Sequence, residues 1–458
     1  MPLSEVDLAA AGDEAVAHLR EMVRFDTTNP PGNELALVRH LADILAREGI
    51  AAQVLESTPG RANLVARVPA TAAAPAGGRP RPLLLLSHLD VVPVEAEQWT
   101  HPPFAAELAD GMIWGRGSID SKLTAAAHLE VLLLCQRLGL PLERDVVMVA
   151  AADEELGGVH GVKWLVEHHR ELLEAEYVLN EAGGFAVLVD GRPLYTCQVA
   201  EKGGVDLDVV ATGRPGHASV PHGDNAVVHL GKALAALGGR PPHRVTPSVR
   251  AFVEVAAAAQ ESEAVAACLR ALLDPDQCDR ALADLPVSES TRAMIDAMLR
   301  NTFAPTVLEG GVKRNVIPSS AAVQLSARPL PGVTADDFLQ DVRAVLGPAG
   351  QDAVECRMGT FRPGLEFPWQ TPMFAAMERA LQSAEPDAAL VPYMQTGGTD
   401  ARFFGDLDAT VYGFVPMRYE PGLDFFELCH GHDERVSVAN VHFAVQVLFD
   451  AVRGLGCG

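Results

Sequence analysis

The chain has 458 residues, more than one compact core usually holds, so two domains are the default expectation. Its 48% hydrophobic and 21% charged residues are ordinary for a globular protein, and no apolar run approaches the roughly 18 residues of a membrane span. A formal net charge of −24 argues against nucleic acid or an anionic membrane as partner.

The N-terminal stretch "MPLSEVDLAAAGDEA" is acidic and lacks the basic and apolar regions of a secretory signal, which points to a cytoplasmic location. Seven cysteines are scattered singly, with no CxxC pair, against both a disulfide framework and a thiolate metal site.

In chain order, residues 34–49 put Leu37, Leu41, Ile44 and Leu45 on one helical face, closed by Gly49. Strand-like runs "AAQVLE" and "ANLVARV" follow, then a Pro/Gly-rich surface loop at 69–82. Next come the apolar strand "LLLLSHLDVVP" (83–93), a helical pattern after "GRGSIDSK", the strand "DVVMVAA", a helix around 159–175 and the strand "YVLNEAGG". Strands alternating with helices predict an α/β fold, a largely parallel mixed sheet flanked by helices.

Near residue 200 the texture changes. "GGVDLDVVATG" alternates apolar and polar residues, as a strand with one exposed face does, and an Ala-rich helical segment runs to about 300. The expected layout is a first catalytic part at 1–199, an inserted α+β domain at 200–358, and a return to the catalytic domain at 359–458. The return ends in the strand "DATVYGFVP" and a helix from about Ser437.

The chemistry gathers at the carboxyl ends of the apolar runs, where open α/β sheets bind their ligands. His88 and Asp90 follow "LLLLS", Glu154 and Glu155 follow "VVMVAAAD", and Glu181 follows "YVLN". Asp120 follows the loop "GMIWGRGSI", and "ELCHGHDER" supplies His430 and His432. Imidazoles and carboxylates suit zinc, and a carboxylate can bridge two ions roughly 3.5–4 Å apart. Three acids and two histidines then serve two ions, which leaves Glu154 as a general base and acid for hydrolysis. Asp90 has the spacing to orient His88 through its second ring nitrogen. Taken singly, each element has a plainer reading: a structural histidine, a solvated acid cluster, or a turn at Gly115-Arg116-Gly117.

Five stretches in this order, "SHLDVVP", "WGRGSIDSK", "AADEELGG", "NEAGG" and "CHGHDERV", resemble the zinc-dependent exopeptidase and amidohydrolase family of carboxypeptidase G, aminoacylase-1, succinyl-diaminopimelate desuccinylase and acetylornithine deacetylase. The resemblance runs from "VRFDTTNPPGNE" to the last helix. It implies two zinc ions per chain, with cobalt or manganese fitting the same ligands. His88, Asp120 and Glu181 would hold one ion, and Asp120, Glu155 and His430 the other. Glu154 would be the general base, Asp90 would orient His88, and the Asp120-Ser121 peptide would be cis. His432 competes for the ligand position, and the family pattern favours His430.

The inserted segment also matches. "GRPGHASVP" resembles the family's dimerisation-domain motif, whose histidine, here His217, reaches the partner subunit's active site in a homodimer. By the same resemblance Asn315, in "RNVIP", and Arg328, in "SARPLPG", would hold the substrate carboxylate, and Gly398 and Thr399, in "GGTDAR", would also contact substrate. One departure is Leu123, where the family often has Gly.

The expected activity is therefore hydrolysis, by a metal-bound hydroxide with Glu154 as base, of the amide bond of a small carboxylate-bearing substrate. That substrate is an N-acyl amino acid or a short peptide cleaved at its C-terminal residue. A catalytically idle amino-acid-binding scaffold and a metal-dependent aminopeptidase stand as alternatives. Serine hydrolase chemistry lacks a G-x-S-x-G elbow, and there is no HExxH helix.

Overall fold

The computed structural model describes residues 8–74, 77–352 and 354–456. The first seven residues, two residues of the 69–82 loop, residue 353 and the last two residues, Cys457 among them, lie outside them. The described chain forms two compact units: Met1–Val199 with Phe367–Tyr393 and Thr399–Gly458, and Ala200–Glu366 with Met394–Gly398.

The first unit is built on a large mixed sheet. Its strands Leu83–His88, Val146–Ala151, Tyr177–Asn180 and Thr410–Gly413 run parallel at the centre, and Ala52–Thr58, Arg61–Val68 and Arg192–Glu201 pair antiparallel at the margins. This is the α/β architecture the alternating pattern predicts, with antiparallel margins added. The central strands are apolar throughout because both faces are covered; every residue of Leu83–His88 and Val146–Ala151 is buried. One face packs Val149, Leu165 and Phe404 into a common core.

The helix read over 34–49 spans Leu35–Arg47, with Leu37, Leu41, Ile44 and Leu45 all buried. The closing helix runs Val438–Gly456. Among the described residues no helix is long and apolar enough to cross a membrane.

Between Leu8–Val23 and Lys122–Arg137 lies a buried acid. Glu130 is fully buried, and neither of its carboxylate oxygens has a hydrogen-bond partner. Burial, helped by nearby Glu14 and opposed by Arg137, pushes its pKa up to about 8. The folded chain thus keeps this proton to about pH 8, whereas the unfolded chain releases it near the ordinary carboxyl value of 4.5. Folding stability falls as pH climbs across that window. We expect Glu130→Gln to melt ~2 °C above the wild type at pH 9 and level with it at pH 5. Coincident melting curves at pH 9 would refute this assignment.

In the second unit, strands Thr302–Gly310, Ser320–Arg328, Gly204–Thr212 and Val354–Arg362 form an antiparallel sheet in that order. The helices Ala226–Leu237 and Ala335–Gln351 cover one face through Leu230, Phe338 and Val342, packed on Val209, Val323 and Leu325. Gly347, at φ 63°, breaks the second helix just before Pro348. The Ala-rich stretch resolves into four short helices, Pro247–Ala258, Glu263–Ala271, Cys278–Asp284 and Glu289–Met298.

Candidate metal centre

Three neighbouring parallel strands end at one edge of the first unit's sheet. Leu83–His88 lies between Val146–Ala151 and Tyr177–Asn180, with His88 opposite Ala151 and Leu85 opposite Leu179. Strand spacing of about 4.8 Å then brings whatever follows each strand into reach of the others. His88 is the last residue of its strand, Glu154 and Glu155 form a single 3-10 turn just beyond theirs, and Glu181 follows Asn180 directly. The fourth strand supports Glu181 from the far side through a close approach. A Cβ on Gly413 would lie 2.0 Å from the Glu181 carbonyl oxygen, and one on Gly183 would lie 2.1 Å from that of Gly413.

Asp120 stands at the middle of the cluster. Its Oδ1 is 3.0 Å from His88 Nε2, and its Oδ2 is 3.1 Å from His430 Nε2. Glu181 Oε2 is 3.0 Å from His88 Nε2, and Glu155 Oε2 is 3.2 Å from His430 Nε2. Ligand atoms of His88, Asp120 and Glu155 all lie within 4.8 Å of one another, as do those of His88, Glu154 and Glu181. His432 points elsewhere, 3.1 Å from Glu95, so His430 is the imidazole that joins the cluster. The Asp120-Ser121 peptide is cis.

The surroundings set each residue's charge. Burial works against the His88 imidazolium, but Glu181, Asp120 and Asp90 outweigh it and hold His88 well above the usual imidazole range. Asp120 is half-buried, yet His430 and His88 hold its carboxyl far below the usual range. Asp120 and Glu155 raise His430 to about 10. Burial pushes up Glu155 and Glu181, and burial with Asp400 and Glu181 alongside pushes Glu154 up strongly.

A pair of divalent ions fits this donor set. Four carboxylates crowd two imidazoles, three of them in surroundings that disfavour their charge. Glu155 Oε1 is buried without a hydrogen-bond partner, as a carboxylate oxygen reserved for a cation would be. Hard oxygen donors with imidazole nitrogen suit zinc, manganese or cobalt.

Around the donors lies a support that the sequence did not disclose. Glu434, fully buried, accepts from the main-chain N–H groups of Gly117, Ile119 and Asp120 at 3.0, 2.7 and 3.1 Å. Arg116, read as one member of a turn, donates to Glu434 at 2.7 Å and to the Gly431 carbonyl at 2.9 Å. The loop of Asp120 and the loop of His430 are therefore tied together by one buried ion pair. Asp90 braces the other side. Its carboxylate accepts from the N–H groups of Glu154 and Glu155 at 3.0 and 3.2 Å and from Asn29 at 2.8 Å. His88 Nδ1 lies 3.0 Å from the Asp90 carbonyl oxygen and 3.5 Å from its carboxylate, so the main chain is its nearer acceptor.

The triple acid 153–155 is split by its environment. Asp153, at φ 69°, turns away to Arg61 at 2.9 Å and Asn29 at 3.0 Å, and Arg61 also pairs with buried Glu34. Glu155 faces His430, whereas Glu154 faces Arg402 Nη2 at 3.2 Å. Arg402 was visible only as the end of "GGTDAR". In the same segment the Thr399 hydroxyl is already engaged: it accepts from Asn180 Nδ2 and Ala401 N, both at 3.1 Å.

The remaining candidates lie in the second unit. His217 is exposed on a two-residue strand pairing with Val316, beside Asn315, whose carbonyl accepts from Ala218 N at 3.1 Å. Its Nδ1 is 2.7 Å from the Ser219 hydroxyl. Arg328 ends the strand Ser320–Arg328, opposite Thr302, and Gly398 belongs to this unit as well.

Residues 84–454 match the model of peptidase family M20/M25/M40. The chain belongs to this family. It is a metal-dependent peptidase or amidohydrolase of the M20 type, acting on amide bonds. It is 27% identical to human aminoacylase-1 over 429 residues, covering 93% of this chain and 91% of that one. Identity to the human N-fatty-acyl-amino acid synthase/hydrolase PM20D1 is also 27%, over 386 residues, covering 81% and 74%. Among solved structures the M20 family metallo-carboxypeptidase Sso-CP2 from Sulfolobus solfataricus superposes with a TM-score of 0.69 at 19% identity, covering 97% of this chain and 99% of that one. M20 enzymes thus share this fold across much lower sequence similarity.

Proposed function

We propose that this M20 enzyme hydrolyses the amide bond of an N-acyl amino acid bearing a free carboxylate. The observation that carries the reading is the Asp120 carboxylate with one oxygen toward each of two imidazoles, beside a glutamate, Glu154, that faces an arginine instead. In this reading His88, Asp120 and Glu181 hold one divalent ion and Asp120, Glu155 and His430 the other, with zinc the expected metal. When bound, such a pair supplies a Lewis acid and makes water acidic near neutral pH.

Glu154 then takes the proton of the attacking water and delivers it to the leaving amide nitrogen. A carboxyl held high by burial suits a residue that must both accept and return a proton near neutrality. Asp90 fixes the turn carrying Glu154 and orients His88. Arg328, with Asn315, recognises the substrate carboxylate through a guanidinium fork, and Gly398 and Thr399 contribute main-chain contacts. The partner subunit's His217 polarises the scissile carbonyl. A homodimer through the inserted domain is supported by the edge strand Thr302–Gly310, exposed from Ala304 onward, with Val307 and Leu308 uncovered. A cytoplasmic setting accompanies this reading.

The test is amino acid released from N-acetyl, long-chain N-acyl, N-succinyl and N-carbamoyl amino acids and from dipeptides blocked at either terminus. Release should need a free carboxylate, vanish with chelator and return with added zinc. Release only from substrates with a free amine would favour an aminopeptidase and remove this reading.

A further inference from the structure

A second group of ligating side chains lies in the first unit away from the metal centre, where the helix Leu8–Val23 packs on Lys122–Arg137. Glu14 and His18 stand one turn apart on the first helix and so share a face, and Glu130 meets them from the second. Glu130 comes two helical turns after Lys122, roughly 12 Å along the axis from the end that adjoins Asp120.

One ligand atom from each of Glu14, His18 and Glu130 lies within 4.8 Å of the other two. His18 Nδ1 is 3.8 Å from Glu130 Oε2, and His18 Nε2 is 4.0 Å from Glu14 Oε1. These separations are too long for hydrogen bonds. They are short enough for the donors to share one cation at bonds of about 2.0–2.2 Å. Neither oxygen of fully buried Glu130 has a hydrogen-bond partner, and neither has buried His18 Nδ1. Native interiors rarely leave polar atoms unmatched in this way. Burial lowers the pKa of His18, which keeps its imidazole neutral and a nitrogen lone pair available.

The surrounding charges are unbalanced. Arg137 donates to both oxygens of Glu14 at 2.7 and 2.8 Å and to Glu48 at 2.8 Å, and it stands 3.7 Å from Glu130 without bonding to it. Glu21, farther along the first helix, is taken up by His40 at 3.0 Å. Three carboxylates against one guanidinium leave two negative charges, the charge that one divalent ion would balance. Without metal, a proton on Glu130 removes one of them. Each Glu14 oxygen keeps a second lone pair beside its bond to Arg137.

We propose that Glu14, His18 and Glu130 form a third metal site, a structural one that takes zinc and pins the first helix to the helix behind Asp120. Three protein donors with water in the fourth position suit that ion. Zinc there must displace the Glu130 proton and share Glu14 with Arg137. It therefore binds more weakly than at the Asp120 centre and is lost on desalting.

The experiment titrates zinc into enzyme already carrying two equivalents, by calorimetry at pH 7 in two buffers of different ionisation heat. A third equivalent should bind, release about one proton and raise the melting temperature. Loss of a mere support around a metal costs about 10–100-fold in affinity, so loss of a donor should cost at least as much. Glu130→Gln and His18→Phe, which keep the bulk of the side chains, should each weaken the third equivalent to that extent. Both should leave the first two equivalents and amide hydrolysis unchanged. Binding that stops at two equivalents, a third equivalent held equally by both variants, or one taken up without proton release overturns the site.

Discussion

Glu154→Gln is expected to lose hydrolysis by three orders of magnitude or more while still binding two equivalents of metal. The substitution keeps the size of the side chain and one acceptor oxygen but cannot accept the proton of the attacking water. General acid–base assistance alone contributes roughly 10²–10⁴-fold. Glu154 lies within the cluster of His88 and Glu181, yet its close polar partner is Arg402, not an imidazole. Metal content by elemental analysis is the discriminating readout, since removing a ligand lowers activity and metal together. A glutamine variant that loses metal would make Glu154 a ligand and leave the proton without a carrier.

The second large effect is expected at a residue that touches neither substrate nor metal. Glu434 satisfies three main-chain N–H groups of the Asp120 loop and the Arg116 guanidinium, all within the interior. Glu434→Gln leaves a buried arginine without its counter-charge and replaces one acceptor oxygen with a donor facing other donors. Breaking a buried pair in this way costs about 3–5 kcal/mol. Loss of support around metal ligands typically lowers metal affinity about 10–100-fold. We expect Glu434→Gln to need ten- to hundredfold more zinc for half-maximal activity, with kcat at saturating zinc closer to wild type. Zinc titration of the chelator-treated variant measures this; an unchanged midpoint would show that the clamp does not position Asp120.

The parts legible in the sequence were those with local signatures. Buried parallel strands require unbroken apolar runs, so Leu83–Leu86 and Val146–Ala151 announced themselves, and chemistry at their ends stood out against them. The antiparallel margins were less visible, because the short runs at 52–58 and 61–68 do not declare which neighbour they pair with. The clamp was not legible, because its meaning resides in bonds between residues more than 300 positions apart. Glu434, in "HGHDER", looks like any solvated acid until Arg116 is seen against it. Asp153 likewise reads as one of three equivalent acids, and Arg61, at the start of the strand Arg61–Val68, together with Asn29 separates it from its neighbours. Arg402 follows the Gly-Thr segment and gained its significance only from contact with Glu154.

The clamp also bears on how the enzyme comes into being. Asp120 emerges from the ribosome early, but the residues that hold its loop and share its carboxylate, Glu434 and His430, follow about 310 positions later. Growing chains fold from the N-terminus onward. The nascent polypeptide therefore carries the strands of the centre long before it can close it. A chain that ends before His430 and Glu434 therefore keeps Asp120 without the partners that hold its loop and face its carboxylate.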